Sequence, residues 1–181
     1  RSTRVRSSAA SDVYKRQVVV EIMGRNSGWL TLAAGLEHFM GGVYPQIVAI
    51  PEIPFDEFGF LNQVKELLKT EHTVICAVSE GIRNHNGDYV GMETKSGAVD
   101  TFWHTYLSGV GKYLELQIAE KIGCKVRSIE LNVMQRCSAH LASKTDLDEA
   151  VQIGEAAVSA AEAGATGIMM VFERTSNHPY A

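Results

Sequence analysis

Arg25 stands in the hexapeptide Met23-Gly24-Arg25-Asn26-Ser27-Gly28. Before it runs an apolar, β-branched stretch, Val18-Val19-Val20-Glu21-Ile22, the signature of a buried strand. After it comes a Leu/Ala-rich stretch from Leu30 to Leu36 that reads as a buried helix. A strand that turns directly into a helix puts its turn at the carboxyl end of a sheet, where open α/β sheets bind ligands. Gly24 has no side chain and lets the backbone approach a ligand. The helix N-terminus offers free N–H groups and partial positive charge. Arg25 adds a permanent charge and a planar set of donors. Together these features describe a phosphate site. The alternative is an ordinary tight turn with an exposed Arg, because the glycine spacing is neither Gly-x-Gly-x-x-Gly nor a P-loop.

Three more residues have types and positions suited to the same chemistry. Glu80 closes the apolar run 73–79 and precedes Gly81. A carboxylate there can accept two hydroxyl hydrogen bonds from a sugar; a plain surface acid at a strand end is the alternative. Arg127 and Arg136 flank the stretch 128–135. Two guanidinium groups suit a phosphate dianion through bidentate bonds, and two solvated or ion-paired arginines are the alternative. Cys137 and His140 lack a second pair at ligand spacing, so they read as structural rather than metal-binding.

The elements that must position these residues follow from periodicity. Residues 46–50 read as a short strand, stopped by Pro51-Glu52-Ile53-Pro54-Phe55. Residues 56–69 read as a helix, with Phe60, Leu61, Val64, Leu67 and Leu68 at helical spacing. Residues 73–79 are apolar on both faces, hence a strand buried between layers. Residues 84–88 are turn-rich, and 100–121 are mostly helical. Residues 125–131 form an alternating strand. Thr145 and Asp146 carry capping-box spacing for a helix to about Ala163. Residues 166–172 read as a last strand, with Met169 and Met170 in its core. Strands alternating with helices predict an α/β fold with a mainly parallel sheet.

Several stretches in order resemble the 6-phosphofructokinases, and most closely their bacterial pyrophosphate-dependent branch. They are Val20-Glu21-Ile22-Met23-Gly24-Arg25 with the following Gly-Trp-Leu, then Pro51-Glu52-Ile53-Pro54-Phe55, then Ser79-Glu80-Gly81-Ile82. Arg127-Ser128-Ile129-Glu130-Leu131 follows with Gln135-Arg136-Cys137, and last Ala142-Ser143-Lys144-Thr145-Asp146 with Glu149-Ala150 and Gly154. The resemblance runs from about Val18 to the end. It implies a three-layer phosphofructokinase-like α/β fold, here incomplete. Residues 18–135 would be the sugar-phosphate domain, and 136–181 a return segment towards the phosphoryl-donor domain. Residues 1–17 are basic, polar and aperiodic. They read as disordered or as foreign, adapter-derived sequence, so Arg16, nine places before Arg25, is given no role although many relatives carry an Arg there.

The resemblance also implies an activity: phosphoryl transfer to the 1-hydroxyl of fructose 6-phosphate, in glycolysis, with pyrophosphate as preferred donor. An ATP-dependent enzyme and a non-catalytic sugar-phosphate sensor are the alternatives. Arg25 would stabilise charge on the moving phosphoryl group, and Met23 and Gly24 would shape the sugar pocket. Glu80 would orient the sugar. Arg127 and Arg136 would grip its 6-phosphate, one of them across a subunit interface of a homo-oligomer. Val133 stands where many relatives have a His or Tyr phosphate contact, and it can donate no side-chain hydrogen bond. The catalytic Asp, and most ligands of the Mg2+ the family uses, would lie in a half not represented here.

Bulk composition narrows the setting. Hydrophobic content of 45% and charged content of 21% are ordinary for a globular protein. A net charge of −4 leaves no field to attract nucleic acid. No apolar run approaches membrane-spanning length. Cys76, Cys124 and Cys137 are unpatterned, which fits a reducing cytoplasm. The missing donor loop and catalytic Asp lead to a first prediction: the purified chain, given fructose 6-phosphate, magnesium and either donor, reads as blank in a turnover assay. Turnover above blank would remove that expectation.

Overall fold

The fold is taken from a computed structural model, which describes residues 16–91 and 109–181. Four strands, β1 (Arg16–Ile22), β2 (Ile47–Ala49), β3 (Thr73–Ser79) and β4 (Val126–Glu130), form one sheet in the order β2-β3-β1-β4. Every pairing is parallel, with Val19 opposite both Cys76 and Ser128. Parallel neighbours need crossovers, and helices supply them: α1 (Trp29–Ala34), α2 (Glu57–Thr70) and α3 (Val110–Ile122). A short α4 (Asn132–Arg136) follows β4. The fold is α/β, as the alternation of elements required.

Register decides which residues meet. One sheet face carries Val19, Ile47, Val74, Cys76, Val78 and Val126, all buried. Phe60, Leu61 and Val64 of α2 and Val110, Leu114 and Ile118 of α3 complete that cluster. Each fully buried aliphatic side chain contributes about 1.5–3 kcal/mol. The opposite face takes α1, where a Cβ on Gly28 would meet Ile50 Cβ at 2.6 Å and one on Gly35 would meet Val48 Cγ2 at 3.5 Å. At the outer edge of the sheet, Glu115 of α3 accepts the Ser128 N–H at 2.7 Å. In the loop after β3, Asn84 Oδ1 accepts the N–H groups of Asn86 and Asp88.

Four expectations change. Arg16 and Gln17 belong to β1, paired with Thr73 and Val74, and Gln17 is only 4% exposed. The boundary drawn after residue 17 therefore cuts a strand; residues 1–15 lie outside the described residues, as does 100–108 of the expected helix. The Leu/Ala-rich run is not a buried helix. α1 lasts six residues, passes into a 3-10 turn (Gly35–Met40), and leaves Leu30, Leu32, Leu36 and Phe39 exposed, Phe39 by 89%. Only Thr31 of α1 is buried, so the run is apolar without having, among the described residues, a layer to cover it.

The chain divides into two compact units between Gln135 and Arg136. In the second, α5 (Lys144–Glu162) starts two residues earlier than the Thr145 capping reading: Ser143 is the N-cap, its Oγ accepting the Asp146 N–H at 3.4 Å. Residues 166–172 are not a strand, and Met169 is 82% exposed. A strand needs a ladder partner for its N–H and C=O groups, and this segment pairs with none among the described residues.

Close packing of backbone on backbone yields a test of the sheet's carboxyl end. A Cβ on Gly81 would lie 1.8 Å from the Arg25 carbonyl oxygen. Gly87 has a left-handed φ of 86° but open space around it. Gly87→Ala should cost about 1 kcal/mol through its backbone alone. Gly81→Ala should cost ~3 kcal/mol or more, because backbone must move. Urea unfolding of both variants checks the ranking, and equal losses would refute the tight Gly81–Arg25 backbone contact.

Candidate functional site

Three turns leave the carboxyl ends of β1, β2 and β3 and lock into one another. Gly24 has a φ of 155°, and a Cβ there would lie 2.7 Å from Ser79 Oγ and 2.6 Å from the Ser27 carbonyl. Only glycine accepts that combination of backbone and space. Gly81 is pressed on Arg25, and Gly28 on Ile50 and Glu52. The stretches around Met23, Glu52 and Glu80, far apart in sequence, thus become one surface.

Hydrogen bonds fix that surface. Gly24 N–H donates to Glu80 Oε1 at 3.2 Å, and Ser79 Oγ donates to the Gly24 carbonyl at 2.5 Å. Glu80 N–H donates to the Ile22 carbonyl at 2.9 Å. Gly28 N–H donates to Glu52 Oε1 at 2.8 Å, and Met23 N–H donates to Gln135 Oε1 at 3.0 Å. This narrows the expectation of free N–H groups by removing the N-cap amide of Gly28 and two amides of the preceding turn. The amides of Met23, Gly24 and Gly28 are already satisfied, two of them by the protein's own carboxylates. An unsatisfied amide is costly, so an anion binding here would rely on Arg25 rather than on these donors.

Beneath the turn, Glu21 is 4% exposed and anchors the start of α3, accepting Gly111 N–H at 2.7 Å and Gly109 N–H at 3.3 Å. Burial pushes its carboxyl above the ordinary carboxylate range. The two amide bonds oppose that shift, and the charges of Glu130 and Glu80 add to it. This end of the sheet is therefore already rich in negative charge.

The expected residues come together in part. Met23, Gly24, Arg25 and Glu80 share the clasp, all half-buried. Arg127 does not join them. It is exposed and sits opposite Val18, four residues before the end of β1, so about 13 Å back along the strand. Val133 is exposed by 62%, and Arg136, the last residue of α4, is exposed in the second unit. Glu52, Ser79 and Gln135 had no assigned role. Each lies inside or beside a motif stretch, but their partners are 24, 55 and 112 residues away, a separation no local pattern reveals.

Magnesium fits no donor set here: among the described residues, no group of three or more His, Cys, Asp or Glu could hold a metal ion. The carboxylates nearest the turn, Glu21, Glu52 and Glu80, already accept backbone N–H groups. Among the described residues no helix is long and apolar enough to cross a membrane. None of the three cysteines forms a disulfide, and burial pushes the Cys76 thiol up to about 12.

Comparison with known proteins follows the same lines. A family model described as Phosphofructokinase matches residues 2–161, reaching into the stretch read as foreign. A pyrophosphate--fructose 6-phosphate 1-phosphotransferase from Xanthomonas campestris pv. campestris is 37% identical over 173 residues, 96% of this chain and 41% of its own length. An ATP-dependent 6-phosphofructokinase 2 from Streptomyces coelicolor is 30% identical over 95% of this chain and 47% of its own. A crystal structure of a pyrophosphate-dependent phosphofructokinase from Marinobacter aquaeolei superposes with a TM-score of 0.65, over 99% of this chain and 41% of that one. At 24% identity that likeness is one of fold. The chain thus spans less than half the length of these relatives.

Glu21 yields a pH prediction. Its folded pKa is raised, so the folded chain holds the proton longer than the unfolded one, whose carboxyl titrates near ~4.3. Its contribution to stability is then fully present below that value and lost as pH rises through the raised one. Relative to Glu21→Gln, the unmutated chain should lose stability with rising pH and level off once the carboxyl is ionised. Unfolding free energies of both chains from pH 4 to 8 check this, and a pH-independent difference would refute it.

Proposed function

Because the chain belongs to the phosphofructokinase family, we propose that it is the sugar-phosphate-binding part of an enzyme that transfers a phosphoryl group from pyrophosphate to the 1-hydroxyl of fructose 6-phosphate. The observation that carries this reading is the clasp, in which Gly24 is held by Glu80 and Ser79. That arrangement places Arg25 and Glu80 on one surface at the ligand-binding end of a parallel sheet.

Each residue then has a task. The Arg25 guanidinium stabilises the charge that shifts on the phosphoryl group in flight, from a backbone already fixed before reaction. Met23 and Gly24 shape the sugar pocket. Glu80 uses Oε1 to hold Gly24, leaving Oε2 to accept a sugar hydroxyl and orient it. Arg136 holds the 6-phosphate. Arg127, displaced along β1, serves the site of a neighbouring copy in a homo-oligomer. The Asp that removes the hydroxyl proton, and the magnesium ligands, belong to sequence outside this stretch, so no step is assigned to them. The setting is cytoplasmic and glycolytic. ATP as donor is the second reading, since relatives that are named for each donor match this chain. Turnover of the full-length protein with each donor in turn separates the two.

The two arginines differ in timing, which makes the assignment testable in the full-length protein. The 6-phosphate is not transformed, so Arg136→Ala should mainly raise KM. Arg25 acts on the moving group, so Arg25→Ala should lower kcat by about a hundredfold or more. Arg25→Lys should rescue poorly, because an ammonium lacks the planar fork. Steady-state kinetics decide it: a rise in KM alone for Arg25→Ala would make Met23-Gly24-Arg25 a binding turn.

A further inference from the structure

Among the described contacts, two carboxylates, Glu52 and Glu80, and one neutral amide, Gln135, accept N–H groups of the 23–28 turn. The neutral one, Gln135, holds Met23, the first residue beyond β1 and the one on which the turn pivots. Its approach is not incidental. Leu131 N–H donates to the Glu21 carbonyl at 3.1 Å, so the chain from Leu131 to Gln135 starts beside the last residues of β1. Gly24 is fixed by Glu80 and Ser79, and Gly28 by Glu52, but for Met23 the bond to Gln135 is the tie among the described contacts.

The absence of charge on Gln135 has a physical reason. Glu80 of the turn after β3 holds the same turn, Glu21 lies beneath it, and the charges of Glu80 and Glu130 both reach Glu21. A further carboxylate would accept the Met23 N–H equally well. It would also add a negative charge where a sugar phosphate, itself a dianion, must come close, and like charges in a partly desolvated site repel strongly.

We infer that Gln135 is a positioning residue: its side-chain carbonyl holds the Met23 amide and so sets the Met23-Gly24-Arg25 turn, while its neutrality keeps the site open to an anionic sugar phosphate. The inference rests on the proposed sugar-phosphate reading of the site. Gln135 touches no reacting atom and acts through the backbone that carries Arg25.

Two substitutions in the full-length protein separate the two halves of this role. Gln135→Met keeps size and removes the acceptor. It should speed amide exchange across residues 20–26 and lower kcat about tenfold, with KM for fructose 6-phosphate within about twofold, because Arg25 is displaced but no charge is changed. Gln135→Glu keeps the acceptor and adds charge. It should leave amide protection and kcat near those of the unmutated protein. Its KM for fructose 6-phosphate should rise about tenfold at low salt and fall back at high salt, as screening predicts. A structural role alone would not produce opposite kcat and KM signatures from two variants at one position. Unchanged kcat in Gln135→Met, or a salt-independent KM equal to that of the unmutated protein in Gln135→Glu, would overturn the inference. If either happened while Arg25→Ala still lost kcat, the inference would fail and the site reading would stand. If the unmutated protein neither turned over nor bound fructose 6-phosphate, the site reading would fail and take with it the proposed reason for neutrality. Failure of Gln135→Met to fold would leave the decision to Gln135→Glu.

Discussion

Backbone meets backbone where Gly81 lies against Arg25, with no room for even a methyl group between them. The rest of the site depends on that contact. It forces the turn after β3 under the turn after β1, which brings the Glu80 carboxylate to the Gly24 amide and Ser79 Oγ to the Gly24 carbonyl. Central strands that run parallel deliver their ends to the same side of the sheet, so glycines at those ends can be shared between neighbouring turns. The result is a stiff platform in which Arg25 is presented by a backbone held from several directions.

Charge is distributed to match. The platform's own acceptors, Glu52, Glu80 and Gln135, satisfy the amides of Gly28, Gly24 and Met23 from within. Glu21 beneath it satisfies the first amides of α3 while buried, at the expense of a raised pKa.

Apolar surface is unevenly covered. α2 and α3 close one face of the sheet around Val64, Leu114 and Ile118, whereas α1 and its 3-10 continuation expose Leu30, Leu36, Phe39 and Met40. In the second unit Ile168, Met169, Val171 and Phe172 are exposed along a segment without ladder partners among the described residues.

The order of strands and helices as far as β4, the span of β3, the body of α2 and the carboxyl-end placement of Met23-Gly24-Arg25 and Glu80 were legible in the sequence. They rest on local signals: β-branched runs, helical spacing, and glycine and proline at the boundaries. Gly24 and Gly81 were visible as turn glycines, but that one presses on the other's neighbour was not, because contact between turns depends on strand order and register. Periodicity likewise misjudged 166–172 and the Leu30–Leu36 run, since an apolar pattern records what a segment could bury and not whether a partner is there. Only the tertiary structure decided that Gln135 would reach Met23 across 112 residues, that Glu52 would take the Gly28 amide, and that Arg127 would stand about 13 Å from the turn. Those are long-range pairings, set when the sheet closes and β4 takes its place beside β1.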